Sequence, residues 1–295
     1  MSEAHEWLLK ALIQPLPQAG DAWRSWRSSV DLDRLDPASF WMLPSLAARM
    51  QEWIVNDPQQ DILVGICKRA WSKNQLVSQL GTQATEVLRS AGLRPAWSGP
   101  AAWAQRYWPE GAIRPIEWVD LLLDYEAVGP AMDALSRSGW TVAGRRPNSR
   151  AAKFYFSPPI PVRYQSTGMV RLHWRDLPNT DFALRRPPLS QSPNLSAEYD
   201  FLRILGGEFD DALDWRCDAL MIGGARPLDW DSIVGLLKWR SRAKARLAEL
   251  CREWNVEVPP HARKQVRTTV ANRMVTGSLG TYRRLKFKLA VRRGL

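Results

Sequence analysis

From Gln59 to Ser90, apolar residues recur at three- and four-residue steps: Leu63, Ile66, Ala70, Val77, Leu80, Ala84, Val87 and Ala91. That period puts them on one face of a long amphipathic helix, and Gly92 stands where a left-handed C-cap is needed. The texture then changes. "LRPAW" reads as a short extended piece, and "SGPAAWAQRYW" as a helix with Ser98 at its N-cap and Pro100 just inside. "PIEWVDLLL" reads as a buried strand, and "YEAVGPAMDALSRSG" as a helix ending at Gly139. "WTVAGR", "AAKFYF", "VRYQS" and "MVRLHWR" are four further strand-like pieces. A long helix followed by this alternation predicts an α+β fold, a small mixed sheet with flanking helices on one side.

Helical regions enclose that core. Glu3 to Gln14 and Ser39 to Val55 read as amphipathic helices, the second with Pro44 near its start. Arg185 to Pro193, "RRPPLSQSP", has the composition of a linker. Helices are expected again over Ala197–Leu205, Phe209–Met221 and Trp230–Trp254, the last capped by Asp229 or Asp231. The expected organisation is a helical region over 1–85, a core over 86–186, a second helical region over 187–260 and a basic tail over 261–295.

Bulk properties narrow the function classes. An apolar fraction of 45% and a charged fraction of 24% are ordinary for a globular chain. The 16 tryptophans fit helix packing before base or sugar stacking. A net charge of +11 favours a polyanionic partner, with solubility as the plain alternative. Cys67, Cys217 and Cys251, like His5, His173 and His261, are too scattered for a zinc or disulfide framework. The first residues, "MSEAHEWLLKALIQPLPQ", resemble neither a signal peptide nor a membrane span, so a cytoplasmic location is expected.

In "GAIRPIEWVDLLL", Gly111 to Leu123, the apolar run after Glu117 carries one carboxylate, Asp120, with Trp118 two residues earlier on the same face. On "MVRLHWR", Arg171, His173 and Arg175 share one face while Val170, Leu172 and Trp174 share the other. "AGLRPAWSGPAAWAQRYWPEGAIRPIEWVDLLLDYEAVGPAMDALSRSGW", "VRLHWR", "CDALMIGGARPLDWDSI" and "VEVPP" occur in this order over roughly residues 40 to 260. In that order they resemble the uncharacterised bacterial nucleotidyltransferase family, which has a lysine-glycine turn, an Asp-x-Asp strand and a later His-Trp strand. The resemblance implies a nucleotidyltransferase-like core and a nucleoside triphosphate partner. Two Mg²⁺ ions would be held by paired carboxylates on one strand and a third on its neighbour.

The chain departs from that pattern where the metal would sit. Trp118 takes the place of the first aspartate, leaving Asp120 as the metal ligand and catalytic carboxylate. Arg171 takes the place of the third carboxylate, and Ser98 that of the lysine before Gly99. The changes from acid to aromatic and from acid to base suggest that Arg171 pairs with Asp120 and stands in for the lost metal charge. Trp118 would then fill the emptied cleft. Glu117 is the candidate substitute ligand, although its odd separation from Asp120 puts it on the opposite strand face unless the strand bulges. Ser98, Gly99, Arg114, Arg171 and His173 are the candidate phosphate-binding residues, with a surface ion pair the commoner fate of Arg114 and a structural role the commoner fate of His173.

Three function classes follow. The first is a nucleotidyltransferase-family protein with a degenerate metal site, acting as a binding or accessory component of a biosynthetic or modification pathway. The second is an active Mg²⁺-dependent nucleotidyltransferase that uses Asp120 and Glu117. The third is a basic scaffold that binds an acidic peptide, an acidic protein or nucleic acid through residues 261–295, where ten Lys and Arg residues occur without a carboxylate. A solvated tail is the plain alternative to the third.

Overall fold

The computed structural model describes residues 3–46, 57–109, 113–144, 146, 159–165, 168–174, 196–206, 213–237, 241–254 and 256–266. Helices α1 (Glu3–Ile13), α2 (Leu16–Ser29) and α3 (Pro37–Met42) lead the chain, and α3 passes into a 3₁₀ turn at Leu43–Leu46. Ser39 to Val55 is therefore not one regular α-helix. Pro44 cannot donate an intrahelical hydrogen bond and tightens the turn; residues 47–56 lie outside the described residues. Helix α2 was not foreseen, although prolines opening a helix are a start signal, and Pro17 lies in its first turn.

Helix α4 (Gln60–Ser90) follows the sequence pattern closely. It runs straight through the boundary expected at residue 85. Leu63 joins the N-terminal apolar cluster with Trp26 and Leu43, whereas Leu80, Ala84 and Leu88 join the cluster under the sheet.

The core proceeds as β1 (Ala96–Ser98), α5 (Gly99–Arg106), β2 (Trp118–Leu122), α6 (Tyr125–Arg137), β3 (Thr141–Val142), β4 (Ile160–Tyr164) and β5 (Gly168–His173). The strands form a mixed sheet in the order β1-β2-β5-β4-β3. β2 and β5 are parallel, and the other neighbours are antiparallel. Three of the four late strand-like pieces become β3, β4 and β5; "AAKFYF" lies outside the described residues.

Alternation divides the sheet into two faces. Val119, Leu121, Val170 and Leu172 are buried in one apolar cluster with residues of α4 and α6. The approach is close at Gly81, where a Cβ would stand 2.6 Å from a Val119 methyl and 2.8 Å from the Trp97 ring. On the other face, Asp120 meets the start of α5 and Arg203 of helix α7 (Ala197–Gly206). Helices thus reach both faces, not one.

The C-terminal helices are α7, α8 (Trp215–Ala225), α9 (Trp230–Leu237), α10 (Ser241–Glu253) and α11 (Pro260–Val266). The helix expected over Phe209–Met221 starts at Trp215 behind an Asp214 cap, and residues 207–212 lie outside the described residues. Of the helix expected over Trp230–Trp254 the structure describes α9 and α10, and residues 238–240 between them lie outside the described residues. Asp229 caps α9, accepting from the Asp231 and Ser232 amides at 3.1 and 3.3 Å. The linker Arg185–Pro193, Arg175 and the tail beyond Val266 lie outside the described residues.

Buried ion pairs tie this helical region to the rest. Arg114 donates to Asp218 from Nε at 2.7 Å and Nη2 at 2.6 Å. Arg106 Nη1 and Tyr107 Oη donate to Asp200 Oδ2 at 3.1 and 2.8 Å. His5 of α1 and Arg216 share Asp214, and Arg216 also reaches Glu6 at 2.9 Å. Burial opposes the charge on Asp214, but His5 and Arg216 outweigh it and hold its carboxyl well below the usual range.

Candidate functional site

The sheet register assembles the site. Ser98 on β1 is paired with Asp120 on β2, and Asp120 with Arg171 on β5. Residues directly opposite one another point to the same face. Ser98, Asp120 and Arg171 therefore form one row, and His173, two positions along β5, adjoins it.

Asp120 is completely buried. Arg171 grips it side-on, Nε to Oδ1 at 2.7 Å and Nη2 to Oδ2 at 2.9 Å, the bidentate geometry that suits guanidinium and carboxylate. His173 Nε2 lies 2.8 Å from the same Oδ1. Arg203 Nη2 stands 4.0 Å from Oδ2, and Arg203 Nη1 donates to Ser98 Oγ. The Arg171 guanidinium also lies over the Trp118 ring, 3.9 Å from its centroid. Trp118 thus fills the space two residues before Asp120 and supports the cation that holds it.

Ser98 occupies the N-cap position of α5 without a side-chain capping hydrogen bond; its hydroxyl accepts from Arg203 instead. Gly99 has φ +66°, and a Cβ there would stand 2.5 Å from Asp120 Oδ2. Only glycine combines that backbone conformation with that closeness. The start of α5, expected to cradle a phosphate, is taken up by the chain's own carboxylate.

The charges settle accordingly. Burial opposes ionisation of Asp120, but the fields and hydrogen bonds of His173 and Arg171 prevail and hold its carboxyl well below the usual carboxylate range. His173 is drawn below its ordinary value, first by burial and then by repulsion from Arg203 and Arg171, against the pull of Asp120. The consistent state is an ionised Asp120 and a neutral His173 whose Nε2–H donates.

This donor set does not suit Mg²⁺, the cofactor expected of an active transferase. A hard divalent cation needs several oxygen ligands. Both oxygens of Asp120 already accept hydrogen bonds, and its charged neighbours are two guanidiniums. Among the described residues, no group of three or more His, Cys, Asp or Glu side chains could hold a metal ion.

Two sequence candidates fall elsewhere. Glu117 does not join Asp120: it lies just before β2 at the surface and pairs with Lys73 Nζ at 3.1 Å. No bulge turns it round, because the β2–β5 register is continuous from Trp118 to Leu122. Arg114 neither faces the phosphate position nor makes a surface ion pair. It is buried against Asp218, and its Nη1 donates to Pro115 O at 2.9 Å. Arg203 was missed. Asp200 and Arg203 are ionisable residues beside the apolar Phe201, Leu202, Ile204 and Leu205, a pattern that signals a buried charge but not its arrival over Asp120.

Among the described residues, no helix is long and apolar enough to cross a membrane. No protein-family model matches the chain, and no curated protein matches it.

Proposed function

We propose that this is a nucleotidyltransferase-like protein whose central carboxylate has become a structural ion-pair hub, and that it acts as a non-catalytic binding component instead of a magnesium-dependent transferase. Three positions support the family reading. Ser98, Asp120 and Arg171 stand at the positions of the turn lysine, the surviving carboxylate and the third carboxylate of the resembled pattern, with Ser98 and Arg171 departing from it in residue type, and the three form one row of the sheet. One observation carries the loss of transferase chemistry: the bidentate Asp120–Arg171 pair, closed further by His173 and Arg203. A guanidinium in place of a metal neutralises the carboxylate, but it offers no open coordination position to polarise a phosphate or activate an acceptor oxygen.

The test is thermal unfolding with ATP, GTP, CTP and UTP, each with Mg²⁺ or with EDTA. A ligand at a hundredfold excess over Kd stabilises by about 2.7 kcal/mol, so binding is readily seen. The expected result is that any nucleotide shift is the same with Mg²⁺ and with EDTA. A shift that requires Mg²⁺ and disappears in Asp120→Asn, together with pyrophosphate release from the parent protein, would overturn the proposal.

A further inference from the structure

The second face of the sheet has a covered half and an open half. Ser98 and Asp120 lie beneath the start of α5 and Arg203 of α7. Toward β4 and β3 the face opens. The register sets Trp118 beside Met169, Met169 beside Arg163 and Arg163 beside Thr141, with Arg171 and its partner Pro161 in the next row. Val162 and Val170 are buried in the apolar cluster under the opposite face, so alternation turns Arg163, Met169 and Arg171 away from that cluster. Arg163 and Thr141 are exposed, and Met169 and Pro161 are half-buried.

Two observations on this half point to an anion. The first is charge. Arg163 and Arg171 are diagonal neighbours on antiparallel strands, which brings their β-carbons to about 7 Å. Strands β3, β4 and β5 carry no carboxylate. Asp120 offsets only one of the guanidiniums of Arg171 and Arg203, and Asp200 is taken by Arg106 at 3.1 Å. With Arg163 added, the described residues leave two positive charges on this face. The second observation is a set of unused donors. Nε and Nη2 of Arg171 are committed to Asp120, whereas Nη1 makes no hydrogen bond among the described residues, and the side chain is 11% exposed. Beneath it Trp118 is 8% exposed, and its buried indole N–H has no acceptor among the described residues, an unfavourable state for a donor shielded from water. The guanidinium sits 3.9 Å from the centroid of that ring, so both kinds of donor fall within the span of one tetrahedral oxyanion.

We propose that the open half of the sheet binds a phosphoryl group between Arg163 and Arg171, with the Trp118 indole N–H as a further donor and without a metal ion. The proposal rests on the reading of the Asp120 cluster as a non-catalytic hub. Asp120 closes the start of α5 to phosphate and, by taking Arg171 side-on, leaves one edge of its fork for a second anion. A guanidinium fork pairs bidentately with phosphate oxygens. A phosphomonoester carries nearly two negative charges, which matches the two cations, whereas a carboxylate carries one. Thr141, directly opposite Arg163, adds a hydroxyl at the rim.

The experiment titrates the full chain, labelled with nitrogen-15 at tryptophan, with inorganic phosphate in EDTA at constant ionic strength. The readout is the Trp118 indole N–H resonance, assigned by its loss in Trp118→Phe. A saturable shift is expected by about 10 mM phosphate, ample for a Kd of about 1 mM, and chloride should give none. Arg163→Gln, at an exposed position, should bind phosphate at least about tenfold more weakly with the other indole resonances in place. Arg163→Lys should recover part of the affinity. Arg89→Gln, exposed near the C-terminal end of α4, should bind as the parent does. Adenosine 5′-monophosphate separates the sources: tighter binding than phosphate with the same dependence on Arg163 assigns the phosphoryl group to a nucleotide, and equal affinity assigns it to free phosphate. No saturable shift with either, the same shift with chloride, unchanged affinity in Arg163→Gln or equal weakening in Arg89→Gln overturns the proposal. Those results leave the hub reading standing, whereas a nucleotide response that requires Mg²⁺ and disappears in Asp120→Asn overturns the hub reading instead.

Discussion

Asp120 and Arg171 are cross-strand partners in the parallel β2–β5 pair, and their side chains meet in two hydrogen bonds of 2.7 and 2.9 Å on a face closed to water. The carboxylate gives up its hydration entirely and recovers it through Arg171 on both oxygens, the neutral His173 ring on Oδ1 and the Arg203 cation beyond Oδ2. Such a cluster is stable only while complete, because removing one partner leaves charge in a medium that cannot solvate it.

Asp120→Asn keeps the shape of the side chain and removes the charge, leaving Arg171 and Arg203 facing each other across a neutral amide. The expected cost is about 3–5 kcal/mol in urea denaturation. Asp120→Asn combined with Arg171→Met should cost clearly less than the sum of the two single changes, because the double variant leaves no orphaned partner between them. Additive costs would show that the pair is not coupled.

The Asp120–Arg171 pair was largely legible in the sequence, whereas the place of Ser98 opposite Asp120 came only with the sheet register. Strand alternation placed Asp120 and Trp118 on one face and Arg171 with His173 on another strand. The exchange of acid for base at Arg171 suggested the pairing. Arg203 was not legible as a member, because no local pattern says which face of a distant helix arrives over the sheet. Arg114 was misread for the same reason: its partner Asp218 lies 104 positions away, and its own surroundings in sequence, a loop before Pro115, look exposed. The change from α-helix to 3₁₀ turn at Pro44 shows the limit of period alone, which extends a helix across any short interruption.

Gly99→Ala tests the contact between the start of α5 and Asp120. The new Cβ must adopt φ +66° and stand 2.5 Å from Oδ2. Backbone strain alone costs about 1–3 kcal/mol, and displacing Asp120 from Arg171 adds to it. The expected result is a lower urea midpoint than that of Ser98→Ala, which removes only the acceptor of Arg203. Equal midpoints would mean that the helix start can retreat from the carboxylate.

Acid should weaken the protein in two separable steps. His173 has a folded-state value below its ordinary 6.5. As pH falls past 6.5, the unfolded chain takes up a proton that the folded chain refuses, so the stabilisation present above 6.5 declines toward the lower folded value. Asp120 is also depressed, from 3.8, so its contribution is complete above 3.8 and is lost only at still lower pH. Urea denaturation at pH 7 and pH 5 should therefore show a loss in the parent that is smaller in His173→Gln. The same loss in both proteins would assign the upper step to other groups.

The two arginine and lysine pairs on either side of Pro115 should respond in opposite ways. Lys73 and Glu117 are 47% and 39% exposed, so water already solvates both charges, and Lys73→Ala or Glu117→Ala should each change stability by no more than about 1 kcal/mol. Arg114 and Asp218 are 0% and 3% exposed, and Trp108 Nε1 also donates to Asp218 Oδ1 at 2.9 Å. Arg114→Met strands that carboxylate beneath Trp108 and removes a link between the approach to β2 and helix α8, so about 3–5 kcal/mol should be lost. Asp218→Asn should be nearly as costly, since it strands the guanidinium instead. Urea denaturation of the four single variants checks the ordering. A Glu117 variant as damaging as the Arg114 variant would require Glu117 to have a role beyond its surface pair with Lys73.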